Sequence, residues 1–266
     1  MTDTSALLQS MIYTAQRAGG AIMAVYATDF SVRDKADSSP VTAADEAAEN
    51  IILADLATIA PTVPVVAEEA VAAGKVPAVL GQTTTERFFL VDPLDGTREF
   101  VSRRDEFTVN IALIEAGNPL LGVVYAPARR ELYWGDVRAR KAGHIDADPD
   151  GTMPSLGNAI AARQPPAAGL IAVASRSHRT PETDTLLANY PVTEFRSIGS
   201  SLKFCLVAAG EADIYPRIGT TMEWDTAAGH AVLAAAGGSV TGLDGERFVY
   251  GKPGFRNGNF MARGRL

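Results

Sequence analysis

The sequence predicts a chain that is α+β in its first part and α/β in its second. Three observations carry this: two helical periodicities at the start, a run of closely spaced apolar strands in the middle, and strand–helix alternation after residue 165. Over residues 5–27, Leu7, Leu8, Met11, Ile12, Ala15, Ala18, Ile22 and Val25 recur at 3.6-residue spacing, with Asp3 and Thr4 placed to cap. The polar residues 33–40 read as loop. A second helix is expected from Thr42 to about Ile59, because Thr42 and Asp45 have capping-box spacing and Ile51, Ile52, Leu56 and Ile59 supply a buried face. Residues 63–67 and 87–91 are short apolar runs of strand type. Strands at 108–115, 120–125 and 131–135 follow across connections too short to cross over a sheet, so they predict an antiparallel meander. Residues 143–168 are dense in Asp, Gly and Pro, and Gln164-Pro165-Pro166 divides the chain into 1–165 and 166–266. Beyond it, strands at 170–174, 192–197 and 212–215 alternate with helices at 180–189, 201–209 and 226–236, which implies a mostly parallel or mixed sheet.

Composition narrows the class. The chain has 266 residues, 47% hydrophobic and 21% charged, which suits one large globular domain or two packed subdomains. No run of 18 apolar residues exists, so no spanning helix is expected. The N-terminus lacks a basic segment ahead of an apolar core, so no signal peptide is expected, and a cytoplasmic setting follows. The one cysteine, Cys205, excludes an intramolecular disulfide and a cysteine zinc cage, and its apolar helix makes it a core thiol. With 24 Lys+Arg against 31 Asp+Glu, the net charge of −7 argues against nucleic-acid polymers and anionic membranes as partners. A small anionic substrate would need locally supplied positive charge.

The chemistry-bearing pattern is acidic. Val91-Asp92-Pro93-Leu94-Asp95-Gly96-Thr97 delivers Asp92 at the end of an apolar strand, which Pro93 is expected to stop because it lacks an N–H. Asp95 then lies in a turn, and Gly96-Thr97 can open a short helix with free N–H groups beside it. Two carboxylates and a loop carbonyl suit hard cations; an ordinary Asp-rich turn has the same pattern. Glu68-Glu69 closes another strand in acid, Asp225 stands before a small-residue helix where it could simply cap, and Asp45 lies in a first helical turn. All four junctions carry an acid, and converging carboxylates would repel unless cations intervene. Phosphate-binding P-loop and nucleophile-elbow motifs are absent. The histidines, His144, His178 and His230, have no zinc spacing and read as surface or capping residues.

Glu68-Glu69, Asp92-Pro93-Leu94-Asp95-Gly96-Thr97 and Trp224-Asp225-Thr226-Ala227-Ala228-Gly229 resemble the inositol monophosphatase superfamily of Mg2+-dependent, lithium-sensitive phosphatases. Residues 35–45, 106–114 and 122–127, with Ser197-Ile198-Gly199-Ser200-Ser201-Leu202-Lys203-Phe204-Cys205, resemble its 3'(2'),5'-bisphosphate nucleotidase branch. The resemblance spans nearly the whole chain. It implies a layered αβαβα sandwich with the site between two subdomains. It also implies two or three Mg2+ ions. Glu68, Asp92 and the Leu94 carbonyl would hold one, Asp92, Asp95 and Asp225 a second, and Glu68 a weaker third through water. Gly96 and Thr97 would offer N–H groups to the phosphate, Thr97 with Asp45 would orient and deprotonate the attacking water, and Ser200 and Lys203 would meet the substrate. Lys203 reads equally as an exposed helix lysine. The implied substrate is adenosine 3',5'-bisphosphate, cleaved to AMP and phosphate in sulfur assimilation, with 3'-phosphoadenylyl sulfate as a related one. An inositol-1-phosphate or sugar phosphatase on the same scaffold is the alternative. A homodimer and peripheral attachment at the cytoplasmic face of the inner membrane are compatible with the resemblance. The chain departs from it at Gly219-Thr220-Thr221, where Gly-Pro-Thr is common, at Arg98, where Lys is common, and over 137–168.

Overall fold

The two N-terminal periodicities fold as α1 (Thr4–Tyr26) and α2 (Ala43–Ile59) in the computed structural model, which describes residues 4–34, 40–77, 87–152, 155–175 and 180–265. Between them β1 (Val32–Asp34) and β2 (Pro40–Thr42) pair antiparallel, where loop was expected; residues 35–39 lie outside the described residues. The capping box forms. The Thr42 hydroxyl accepts the Ala44 N–H, and Asp45 Oδ2 accepts the Thr42 N–H at 2.8 Å.

Both helices lie on one face of a seven-stranded sheet of β3 (Val65–Ala67), β4 (Arg87–Asp95), β5 (Thr108–Glu115), β6 (Asn118–Ala126), β7 (Glu131–Asp136), β8 (Lys141–Asp146) and β9 (Asn158–Ala159), in that spatial order. β3 and β4 are parallel, and the remaining pairs form the predicted antiparallel meander, extended by two strands. β8 and β9 occupy part of the stretch dense in Asp and Gly. Gly143, which weakens the sequence signal, sits in β8 because a Cβ there would meet the Trp134 ring at 2.5 Å. Short helices α3 (Glu68–Ala72) and α4 (Thr97–Val101) follow β3 and β4 directly.

The second half forms a five-stranded sheet. Its elements are β10 (Leu170–Ala174), α5 (Pro181–Leu187), β11 (Val192–Ser197), α6 (Leu202–Ala208), β12 (Ile214–Arg217), β13 (Thr221–Met222), α7 (Ala227–Ala235), β14 (Ser239–Gly242), β15 (Arg256–Asn257) and β16 (Phe260–Arg263). The order β11-β10-β12-β16-β14 is mixed: β10 is parallel to both neighbours, and β16 is antiparallel to both of its own. β12 starts later than expected, since Asp213 is taken up by the Ile171 N–H at 2.7 Å and by Arg163.

Five layers result. α1 and α2 cover the large sheet, α6 and α7 fill the space between the sheets, and α5 closes the far side. This is the αβαβα sandwich. Alternate residues explain the continuous apolar runs. Phe89 and Val91 of β4 pack in the cluster under α1 and α2, whereas Phe88 and Leu90 pack in the one around α6 and α7, so both faces exclude water. Cys205 is buried in α6, and burial raises its thiol pKa. His230 is not a surface residue. It is buried in α7 with Nδ1 3.0 Å from the Tyr250 hydroxyl, and burial lowers its pKa to about 3. His144 is half-buried and stacks on Tyr133; His178 lies outside the described residues. No helix among the described residues is long and apolar enough to cross a membrane.

Candidate active site

The site begins at the C-terminal ends of the parallel pair β3 and β4. β3 hands the chain to Glu68 in the first turn of α3. β4 does not stop at Pro93, as expected, but continues to Asp95. Its pairing with β5 steps from Asp92↔Asn110 to Asp95↔Thr108, so one extra residue bulges out. Proline is tolerated there because β3 pairs no further than Val91, and the bulge leaves no ladder bond for Pro93 to donate. Asp92 is buried, and its Oδ1 accepts the Leu94 N–H at 3.0 Å. Gly96 takes φ +91°, a left-handed turn that favours glycine, and Thr97 opens α4 as predicted. The Thr97 hydroxyl lies 3.2 Å from the Leu94 carbonyl and 3.4 Å from Asp45 Oδ1. Asp45 is buried with its other oxygen fixed by Thr42, so the residues expected to act together on water do meet.

The second half supplies the opposite wall. Asp225 precedes α7, but the N-cap is Thr226. Asp225 Oδ2 instead accepts the Met222 N–H at 2.8 Å, so its carboxylate is not a helix cap. Ser200 has φ +49°, a left-handed conformation uncommon outside glycine, ahead of α6. Lys203 is not an exposed helix lysine: it is 5% exposed, and its Nζ donates to the Ser200 carbonyl at 2.5 Å and the Ile198 carbonyl at 3.3 Å. Its Nζ also stands 5.4 Å from the Tyr215 ring centre. Burial lowers its pKa to about 8 against the opposing charge of Asp95.

Between these walls lies an open cleft of about 400 Å3. Glu68, Asp95, Gly96, Thr97, Ser200, Lys203 and Asp225 line it; Asp45, Asp92 and Leu94 are buried outside the lining. The sequence did not single out Tyr215 and Arg217 on β12, or Glu99 on α4, which also face the cleft. Nothing local marks Tyr215 and Arg217, because a strand position gains a functional neighbour only through the sheet order.

Electrostatics unite the acids. Asp95 is raised above the ordinary aspartate value, first by burial, with Lys203 and hydrogen bonds from Ser201 and Asn110 opposing. Asp225 is raised well above it, first by burial and then by the charges of Asp95 and Glu68. Among the described residues, no three His, Cys, Asp or Glu side chains already close around one point as a cage. The donor set is nonetheless all oxygen, and Asp95 and Glu68 repel Asp225 across the cleft, so the residues fit a hard divalent cation such as Mg2+.

The inositol monophosphatase family model matches residues 3–265. The chain is 43% identical over 258 residues to the 3'(2'),5'-bisphosphate nucleotidase CysQ of Salmonella typhimurium, covering 94% of this chain and 98% of the relative. It is 44% identical over 258 residues to the protein of that name in Escherichia coli (strain K12), with the same coverage. Among solved structures, CysQ from Bacteroides thetaiotaomicron, a bacterial member of the inositol monophosphatase family, matches with a TM-score of 0.78 at 36% identity over 98% of both chains.

Proposed function

The chain belongs to the inositol monophosphatase family, and from that premise we propose that it hydrolyses the 3'-phosphate of adenosine 3',5'-bisphosphate to give AMP and phosphate, with Mg2+ as cofactor. The relatives at this identity are named as 3'(2'),5'-bisphosphate nucleotidases, and on this reading the reaction serves sulfur assimilation. 3'-Phosphoadenylyl sulfate carries the same 3'-phosphate and is a second substrate on this reading. The observation that carries it is the meeting of Asp95 and Asp225, from the two halves of the chain, in one cleft with Glu68.

Glu68, Asp92, Asp95, Asp225 and the Leu94 carbonyl would hold two or three Mg2+ ions. Bound there, Mg2+ supplies Lewis acidity and neutralises phosphoryl charge. The remaining work falls to the chain. Thr42 fixes Asp45, and with the Leu94 carbonyl turned to a cation the Thr97 hydroxyl hydrogen goes to Asp45 Oδ1, which leaves Thr97 Oγ1 with a lone pair to accept from, and so orient, the attacking water. Asp45 is then placed to take the proton that the water loses. The Gly96 and Thr97 N–H groups steady the phosphate. Lys203, Arg98 and Arg217 offset the cleft's acids, so that a nucleotide with several negative charges can enter a protein of net charge −7.

Phosphate release with Mg2+ from adenosine 3',5'-bisphosphate, inositol-1-phosphate and fructose-1,6-bisphosphate tests the reading. The nucleotide is expected to give the highest kcat/KM. A preference for inositol-1-phosphate or fructose-1,6-bisphosphate would replace the nucleotidase with an inositol or sugar phosphatase.

A further inference from the structure

At the edge of the acidic cleft, where the two halves touch, four polar groups meet. Asp95 and Asn110 come from the large sheet; Ser201 and the Asp225 carbonyl come from the second half. Ser201 Oγ lies 3.0 Å from Asp95 Oδ2 and 2.7 Å from the Asp225 carbonyl oxygen. Asn110 Nδ2 donates to Ser201 Oγ at 2.9 Å and to Asp95 Oδ2 at 3.3 Å. The Thr108 hydroxyl donates to Asn110 Oδ1 at 3.0 Å, which turns the amide nitrogen towards Ser201 and Asp95. Asn110 and Ser201 are both buried.

A hydroxyl has one hydrogen and two lone pairs. Ser201 accepts from Asn110 and offers its hydrogen to two acceptors, one from each half of the chain. It therefore touches both the carboxylate of Asp95 and the backbone that carries Asp225. Its neighbour Ser200 lines the cleft, whereas Ser201 does not, so the two adjacent serines have different surroundings. The loop does not depend on Ser201 for its seat. The Gly199 N–H donates to Glu106 Oε2 at 2.8 Å, and Lys203 holds the Ile198 and Ser200 carbonyls.

We propose that Ser201, held by Asn110, is a positioning residue that fixes Asp95 relative to Asp225 and thereby sets the affinity of the site for Mg2+. The proposal rests on the metal-dependent reading above. Partners that orient metal-binding carboxylates commonly change metal affinity or activity by about 10–100-fold when removed.

The experiment titrates Mg2+ calorimetrically into metal-free wild type, S201A, S201T and N110A without substrate, and then measures phosphate release as a function of Mg2+. S201A is expected to weaken Mg2+ binding about tenfold, with N110A shifting the same way and S201T restoring the affinity through its hydroxyl. At saturating Mg2+, KM for the nucleotide should change little. S201C, which keeps the volume but forms weaker hydrogen bonds, replaces S201A if the alanine variant does not fold. Wild-type Mg2+ affinity in S201A, or in S201C where it stands in, overturns the proposal. A raised nucleotide KM with unchanged Mg2+ affinity overturns it too, by making Ser201 a substrate contact. A wild type that binds no Mg2+ overturns the metal-dependent reading itself and this inference with it, which separates the two failures.

Discussion

Asp95 carries its charge where burial penalises it. Burial raises its pKa, Asp225 is raised with it, and only Lys203 and two neutral hydrogen-bond donors oppose the shift at Asp95. In metal-free protein the folded state therefore holds protons that the unfolded chain has released. The resulting stability is complete below the ordinary aspartate pKa and is lost as pH rises through the raised folded values. The melting temperature of EDTA-treated enzyme should accordingly fall as pH rises above about 4. Asp95→Asn should remove part of that fall, leave the metal-free fold intact near neutral pH, and lower kcat at least ~100-fold through loss of an anionic metal ligand. Thermal melts across pH, paired with phosphate release at saturating Mg2+, check this; near-wild-type kcat would exclude Asp95 from the metal site. At this scale the acids were legible because a carboxylate at a strand end is conspicuous. Ser201, Asn110 and Arg217 were not, because a serine or asparagine within an apolar run acquires its meaning only from the atom it reaches.

α7 shows how an element can decide a site. It packs against β6 and β7 closely enough that a Cβ on Gly122 would meet the Ala228 carbonyl oxygen at 2.4 Å and the Ala231 Cβ at 2.6 Å. Gly122 on β6 and Gly135 on β7, with Ala228, Ala231 and Ala235 opposite, make the close approach possible, and the approach sets the height at which the preceding Asp225 enters the cleft. Gly122→Ala should cost about 1–3 kcal/mol by overpacking. It should also depress kcat, because the displaced helix moves Asp225. Urea unfolding and turnover on the same preparation test the coupling, and lost stability with full activity would uncouple the helix seat from the carboxylate. The helical periods of α1 and α2, the cap at Thr42 and the meander were all readable, since their signals are local. The continuation of β4 past Pro93 was not, because it depends on where β3 ends beside it.

At the scale of the whole molecule, two sheets with helices between them bring together acids separated by more than a hundred residues of chain. The expected cation chemistry then discriminates by size and charge. Li+ is close to Mg2+ in radius and takes hard oxygen ligands, but carries half the charge, whereas K+ is too large for contacts of about 2.0–2.1 Å. LiCl should therefore inhibit phosphate release far more than KCl at equal ionic strength, and more deeply when phosphate product is present to complete the ligand set. Equal inhibition by the two salts would reduce the effect to screening.

By itself, the sequence determined the two N-terminal helices, the core of the meander, the acid at each junction and the turn that Gly96 and Thr97 open, because periodicity, capping and turn chemistry act over a few residues. Only the tertiary structure decided that Lys203 and His230 are buried, that Asp225 is held by the Met222 N–H and is not a cap, and that Ser201 and Asn110 join the halves. Burial and long-range hydrogen bonds are properties of layers packed face to face, and residues far apart in the chain exchange water for one another only when those layers close.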